Sequence, residues 1–199
     1  MPNWCYNELR IEGASDEIKR FMAASTGLPA RYALSEWEIK ISYQHPTEPR
    51  FCFNALIPTP PEVLELGFDG HMRLRQLLEE QGEEAIAEKM DGYHWNCQNW
   101  GTKWDIYGDN LSLETCGWED GDTNLLLPFE TAWSPPIPWL TAVASMFPNL
   151  LFSLHYEEGG CFFAGDIICE GDSVVEDEYD VDRCRQLFEC SEESKSIQI

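Results

Sequence analysis

The chain has few basic residues and no long apolar run. Its 199 residues include 13 Lys and Arg against 36 Asp and Glu, which gives a formal charge of −23 at pH 7. Nucleic acids and anionic membranes repel such a surface unless it carries a local basic patch, and the bases here are scattered. No stretch approaches the about 20 apolar residues that a membrane-spanning helix needs. The charge excludes direct binding to either polyanion and favours basic protein surfaces or cations as partners.

The sequence also lacks the motifs of common enzymes and cofactor sites. It contains no glycine-rich phosphate loop, no G-x-S-x-G nucleophile motif and no H-E-x-x-H zinc motif. Its eight cysteines are mostly isolated, and no two have the C-x2-C spacing of iron–sulfur ligands. We therefore expect core cysteines rather than disulfides, no metal, no cofactor and no enzymatic activity. The first residues lack a basic and an apolar region, so a cytoplasmic location is expected.

Three isolated features have simple structural explanations. His94 and Cys97 have a spacing that a zinc site tolerates, but Cys116 stands alone, which favours no metal. Cys5 has no base beside it to lower the pKa of a nucleophilic thiol, so we expect it in the core. His155 lies opposite the apolar face of a predicted strand, where a solvent-facing side chain is favoured over a general base.

The hydrophobic pattern predicts short strands interspersed with helices. Strands are predicted at about 3–11, 51–57, 111–116, 124–133, 150–156 and 161–170. Helices are predicted from Ser15 to about Gly27, as one or two segments in 71–90, and at about 138–147 and 181–190. Residues 93–108 are interpreted as an aromatic loop, and the pattern of 37–43 fits either a strand or a helix. This order predicts an α+β sandwich, with helices on one face of a mixed or antiparallel sheet.

Four segments identify a resemblance. They are Met1-Pro2-Asn3-Trp4-Cys5, Ile57-Pro58-Thr59-Pro60, Asn99-Trp100-Gly101-Thr102-Lys103-Trp104-Asp105 and Thr131-Ala132-Trp133-Ser134-Pro135-Pro136. In this order they resemble the YubB-like family of plasmid and phage proteins, over roughly residues 1–170. The resemblance implies a ferredoxin-like domain at 1–170 and no established activity. The residue pattern itself predicts a helical, Trp-rich insertion at about 62–108. It also predicts an acidic extension with a short helix at 171–199, which the resemblance does not cover.

The acidic segment near the C-terminus is the first candidate site. Its residues are Glu170, Asp172, Glu176, Asp177, Glu178, Asp180 and Asp182. They form either a solvated face that maintains solubility or a surface that imitates phosphate spacing and occupies a basic groove. Calcium binding is the weakest interpretation, because the D-x-[DN]-x-[DN]-G-x5-E pattern is absent.

The Trp-rich loop is the second candidate site. In one interpretation, Trp100 and Trp104 offer a stacking platform, and Lys103 and Asp105 flank a small ligand. In the other, the two tryptophans attach the loop to the sheet, and the polar side chains bond to the backbone. A concave pocket lined by the four residues favours the first interpretation, and buried tryptophans favour the second.

These observations predict a non-enzymatic accessory protein of a mobile genetic element that binds another protein. In its sharper form, the hypothesis is an acidic nucleic-acid mimic that inhibits a host defence protein by occupying its basic surface. The alternative is a small-ligand-binding module or weak enzyme that uses the loop from Trp100 to Asp105.

Overall fold

Strands and helices alternate along the chain. The computed structural model describes residues 3–35, 39, 44–82, 89–106 and 110–196. The strands are β1 (Trp4–Glu12), β2 (Thr26–Gly27), β3 (Arg50–Phe51), β4 (Asn124–Ala132), β5 (Leu151–Glu158), β6 (Phe163–Glu170) and β7 (Ser173–Glu178). The helices are α1 (Ser15–Ser25), α2 (Phe53–Leu56), α3 (Pro61–Leu66), α4 (His71–Gln81), α5 (Gly92–Asn99), α6 (Ile137–Met146) and α7 (Val181–Ser196).

Five of the strands form one antiparallel sheet in the order β4-β1-β5-β6-β7. The strands β2 and β3 form a separate two-stranded pair. Because β4 and β5 flank β1, the chain crosses β1 between them, and α6 makes that crossover. The sheet is antiparallel throughout, which is one of the two arrangements that the sequence predicted.

Alternation along the strands directs one face of the sheet into the core. In β1, Cys5, Leu9 and Ile11 are fully buried, whereas Arg10 on the opposite face is exposed. β4 and β5 continue the buried face, because the register places Leu9 beside both Leu127 and Leu154. A half-buried strand produces this period of two. The helices α1 and α6 supply the covering side of the core.

Aromatic rings fill the space between α1 and the sheet. The ring of Phe21 lies 5.4 Å from that of Phe147 and 5.5 Å from that of Phe152, in edge-to-face geometry in both cases. Phe21 and Phe152 are fully buried, and Phe147 is nearly so. This geometry adds to the free energy gained from burying the rings.

Two predicted strands are wrong. Phe51 ends β3, and α2 begins two residues later because the Asp105 carboxylate accepts the backbone N–H groups of Phe53 and Asn54 at 2.7 and 3.3 Å. Residues 111–116 contain no strand, and residues 113–117 form a turn. There the Ser112 N–H donates to Thr115 Oγ1 at 2.8 Å, and such local side-chain bonds compete with a strand.

Further segments differ in detail from the predicted elements. The predicted aromatic loop at 93–108 begins with α5, whose first turn is capped by Asp91 through the His94 N–H at 3.0 Å. Of the ambiguous segment 37–43, only Ile39 lies within the described residues. The predicted acidic extension contributes β7 to the sheet before α7 begins. None of the described helices is long and apolar enough to cross a membrane.

Replacing Phe21 by Ala is expected to lower the free energy of unfolding by about 3 to 5 kcal/mol, because it leaves a cavity among enclosed rings. Met146→Ala is the control, since this side chain is 47% exposed and its truncation opens no cavity. Urea unfolding followed by circular dichroism measures both variants. Equal, small effects of the two substitutions would contradict the assigned core.

Candidate functional site

The seven predicted acidic residues lie on the β6–β7 hairpin and at the start of α7. We call this set, Glu170, Asp172, Glu176, Asp177, Glu178, Asp180 and Asp182, the acidic edge. All seven residues are exposed. The hairpin turns through Gly171 and Asp172, and Gly171 has a φ of 54°, which suits a tight two-residue hairpin loop. The acidic edge therefore borders the sheet, since β7 is the last strand in its order.

The pleat of β7 divides these carboxylates between the two faces of the sheet. Glu176 and Glu178 pair in register with Ile167 and Gly165, which belong to the helix-covered face. Their charges help to raise the pKa of Tyr156 on that face, although burial is the larger cause. The side chain of Asp177 points to the opposite, open face. No single face carries the whole acidic edge.

Part of the acidic edge is engaged within the protein. Asp177 accepts a 2.7 Å bond from Arg183, and Asp182 accepts a 3.0 Å bond from Arg185. Asp180 caps α7 by accepting the backbone N–H of Arg183 at 2.9 Å. Within the described residues, the other four carboxylates, those of Glu170, Asp172, Glu176 and Glu178, have no salt bridge.

A polar network on the open face ties the start of α7 to the sheet. The Asp166 carboxylate contacts Nδ1 of His155 at 2.9 Å and accepts the Tyr179 hydroxyl at 2.5 Å. The hydrogen bond to Asp166 raises the pKa of Tyr179. Arg183 stacks on the Tyr179 ring, 3.6 Å from its centroid, and pairs with Asp177. His155 faces away from the core, as predicted, but Asp166 on the neighbouring strand orients it.

Two members of the Trp-rich loop have structural roles. Trp100 is fully buried, and its indole N–H donates to the Ile57 carbonyl at 3.0 Å. The carboxylate of Asp105 is enclosed by α2 and accepts the N–H groups of Phe53 and Ile106 at 2.7 and 2.8 Å. Burial raises the pKa of Asp105 to about 6, and these hydrogen bonds limit the rise. Trp100 and Asp105 therefore attach the loop to the core.

Lys103 and Trp104 lie nearer the surface, next to the second Trp-containing segment. The Lys103 ammonium lies 4.6 Å from the ring centroids of both Trp104 and Trp133. Trp133 is 43% exposed and has a φ of 74°, a left-handed conformation that costs energy for a bulky residue. A further indole, that of Trp4, lies 6.2 Å from Trp104. Since Lys103 already lies between the two indoles, a stacked ligand there would have to displace it.

The two Trp-containing segments of the sequence are joined by hydrogen bonds. The Thr102 hydroxyl donates to the Ala132 carbonyl at 3.0 Å, and the Ser134 hydroxyl donates to the Gly101 carbonyl at 2.6 Å. The loop is therefore fixed to the end of β4. These two hydrogen bonds make the two Trp-containing segments one structural unit.

The cysteine and histidine candidates remain separate. Cys5 is fully buried, and burial raises its pKa to about 12, which disfavours the reactive thiolate. His94 bonds to Asp91, the cap of α5, at 2.7 Å. Among the residues that the structure describes, no group of three or more His, Cys, Asp or Glu side chains is placed to hold a metal ion.

The pattern of the sequence did not reveal that the acidic edge contains a strand. In β7, Val174 and Val175 are adjacent and both exposed, so no apolar alternation marks the strand. The available signal is the Gly171-Asp172 pair directly after the clear strand β6, because such a pair is typical of a two-residue hairpin loop.

The sheet and its helices define a ferredoxin-like α+β protein. Residues 114–198 match a family model described as the ferredoxin-like domain in Api92-like protein, which confirms the predicted fold class. No curated protein matches the chain. The crystal structure of protein api92 from Yersinia pseudotuberculosis is 12% identical, with 90% of this chain and 99% of that chain covered and a TM-score of 0.44. At this similarity, the fold assignment rests on the family match and the strand order.

Asp105→Asn is expected to change how stability depends on pH. The folded pKa of about 6 lies above the ordinary 3.8, so the folded protein retains this proton longer, and the carboxyl lowers stability as pH rises from about 4 to 6. The stability difference between wild type and variant should therefore shift against the wild type by about 3 kcal/mol across that range. Chemical unfolding at several pH values measures it, and parallel profiles would contradict the assignment.

Proposed function

We propose that this protein acts by binding a basic surface of another protein through its acidic edge, without catalysing a reaction. The observation that carries the proposal is the exposure of all six side chains of β7, three of them acidic. A strand whose six side chains are all exposed contributes little to the core beyond its backbone ladder, so most of its surface is accessible to a partner. With a charge of −23, the protein attracts basic surfaces at long range.

Four carboxylates of the acidic edge are open to direct pairing with a partner. Glu170, Asp172, Glu176 and Glu178 are exposed and have no salt bridge among the described residues, whereas Asp177 is neutralised by Arg183. Along β7, the carboxylates of Glu176 and Glu178 repeat on one face about every 7 Å. A partner with a row of Lys or Arg side chains would pair with them while few protein cations compete.

In its sharper form, the proposal makes the protein a nucleic-acid mimic. A basic groove built for phosphates accepts a row of carboxylates as an electrostatic substitute, and its occupation blocks the nucleic acid. The role we propose is that of a cytoplasmic accessory protein of a mobile genetic element, which inhibits a nucleic-acid-binding defence protein of the host. The resemblance to plasmid and phage proteins, not the geometry, supports that setting.

The Trp-rich loop gives less support to the alternative function. Trp100 is fully buried and Asp105 caps α2, so two of the four residues proposed to line a ligand site are engaged in the fold. Lys103 lies between Trp104 and Trp133. This arrangement favours attachment of the loop over a stacking platform for a ligand.

Paired affinity columns test the proposal with a bacterial lysate. The first test variant, Glu170→Gln with Asp172→Asn, Glu176→Gln and Glu178→Gln, is called the four-acid variant. The control carries Glu62→Gln, Glu79→Gln, Glu114→Gln and Glu119→Gln, which are exposed acids elsewhere with the same change in charge. The wild type and the control should retain a protein that moderate salt elutes, and the four-acid variant should lose it, because exposed ion pairs are screened by salt.

Competition with DNA distinguishes the two forms of the proposal. A short DNA duplex should displace the retained protein if the acidic edge occupies a nucleic-acid-binding groove. Retention that resists the duplex would contradict mimicry but leave binding of a basic surface intact. Equal retention by the wild type, the control and the four-acid variant would contradict the proposal itself.

A further inference from the structure

The outer edge of β7 presents backbone groups that the sheet does not use. In the β6–β7 hairpin, the pair Glu170 and Ser173 closes the two-residue loop, so every second pair from there exchanges hydrogen bonds. The hydrogen bond from the Tyr179 N–H to the Ala164 carbonyl, at 2.9 Å, belongs to the same series of hydrogen-bonded pairs. The N–H and C=O groups of Val174, Glu176 and Glu178 therefore point away from β6. No described element pairs with that edge.

The two edges of the sheet differ in how they are protected against the addition of another strand. At the opposite edge, β4 contains Pro128 near its middle, which removes one donor and hinders the addition of another strand. β7 contains no proline, and its register with β6 runs through all six residues without a bulge. In the part of the chain that the structure describes, charge alone protects this edge.

The negative charge of β7 determines which strands can pair with it. A second copy of this chain would place its own Glu176 and Glu178 near those of the first, and like charges on adjacent strands repel. A strand with Lys or Arg at alternate positions gains the opposite interaction on the helix-covered face. On the open face, the exposed side chains of Val175 and Ile168 lie side by side in register and offer an apolar contact.

The open face next to this apolar pair is concave. A depression of about 380 Å³ is lined by Ile168, Val175 and Asp177, with residues of β1 and β5 on its other side. Val175 forms the border of this depression, and an apolar side chain of an added strand, opposite Val175, would extend that border outward. The expected partner strand thus alternates basic residues on one face with apolar residues on the other.

We infer that β7 binds an extended basic segment of the partner protein as a sixth strand of the sheet. The inference rests on the proposed function and specifies its partner: the backbone ladder supplies geometry, and alternate Lys or Arg residues supply charge complementarity. It differs from simple electrostatic attraction, because it requires the outward amides of Val174, Glu176 and Glu178 to form hydrogen bonds.

An eight-residue peptide that alternates Lys and Val is the probe. The control peptide has the same sequence, with N-methyl groups on its four central amides, which keeps the charge and blocks both of its hydrogen-bonding edges. NMR titration of the 15N-labelled protein measures affinity and amide exchange together. With the first peptide, the amides of Val174, Glu176 and Glu178 should become at least about tenfold more protected, while those of Val175 and Asp177 are protected throughout.

A matched pair of protein variants tests the same ladder. Val174→Pro removes one outward N–H without changing charge, at a position that does not bond to β6, whereas Val174→Thr keeps the N–H. Binding of the first peptide should weaken at least about tenfold in the proline variant and less than about threefold in the threonine variant. Unchanged core amide shifts in the proline variant establish that it is folded.

The possible failures are distinguishable. If both peptides bind the wild type equally, without protection of the outward amides, and the four-acid variant binds neither, strand addition is overturned and the proposed function stands. If the four-acid variant binds both peptides as the wild type does, the proposed function fails as well. Protection of the outward amides that grows with protein concentration in the absence of peptide would identify a second copy as the occupant and overturn the inference.

Discussion

The antiparallel register of β1 with β4 and β5 is the constraint on which the structure depends. It aligns Leu9 with Leu127 and Leu154, so that three strands present one continuous apolar face to α1 and α6. A shift of one residue would turn that face outward and bury Glu8 and Arg10 instead. Because one face of the sheet contains the core, the large negative charge has to lie on the other face, on the outer sides of the helices, in the loops and at the edge.

The Trp-rich loop stabilises the same core, because it holds α2 in place. Asp105 and Trp100 hold the backbone around α2, and Trp139 of α6 adds a bond to the Phe53 carbonyl at 3.2 Å. The carboxylate of Asp105 is enclosed because it substitutes for the hydrogen bonds that the first turn of α2 lacks. The residues that first suggested a ligand site therefore connect the helical segment to the sheet.

The extent to which the sequence predicted the structure follows from how each element is stabilised. The alternation of Phe152, Leu154 and Tyr156 predicted β5, because one of its faces is buried. The start of α2 was missed, because its cap comes from Asp105, far along the chain, and no local pattern records that contact. β7 was missed for the opposite reason. It buries neither face, so its acids indicated a solvated tail, whereas the ladder with β6 makes it a strand.

The acidic strand at this sheet edge combines an open backbone with negative charge. The outward N–H and C=O groups of β7 can pair with another strand. The negative charge of β7 excludes most strands, including those of identical copies. We infer that the partner binds at this edge, and hydrogen–deuterium exchange of the protein alone and in its captured complex tests this binding most directly. We predict slower exchange confined to residues 163–183. Slower exchange at residues 100–106 and around Trp133, with β7 unchanged, would contradict the claim.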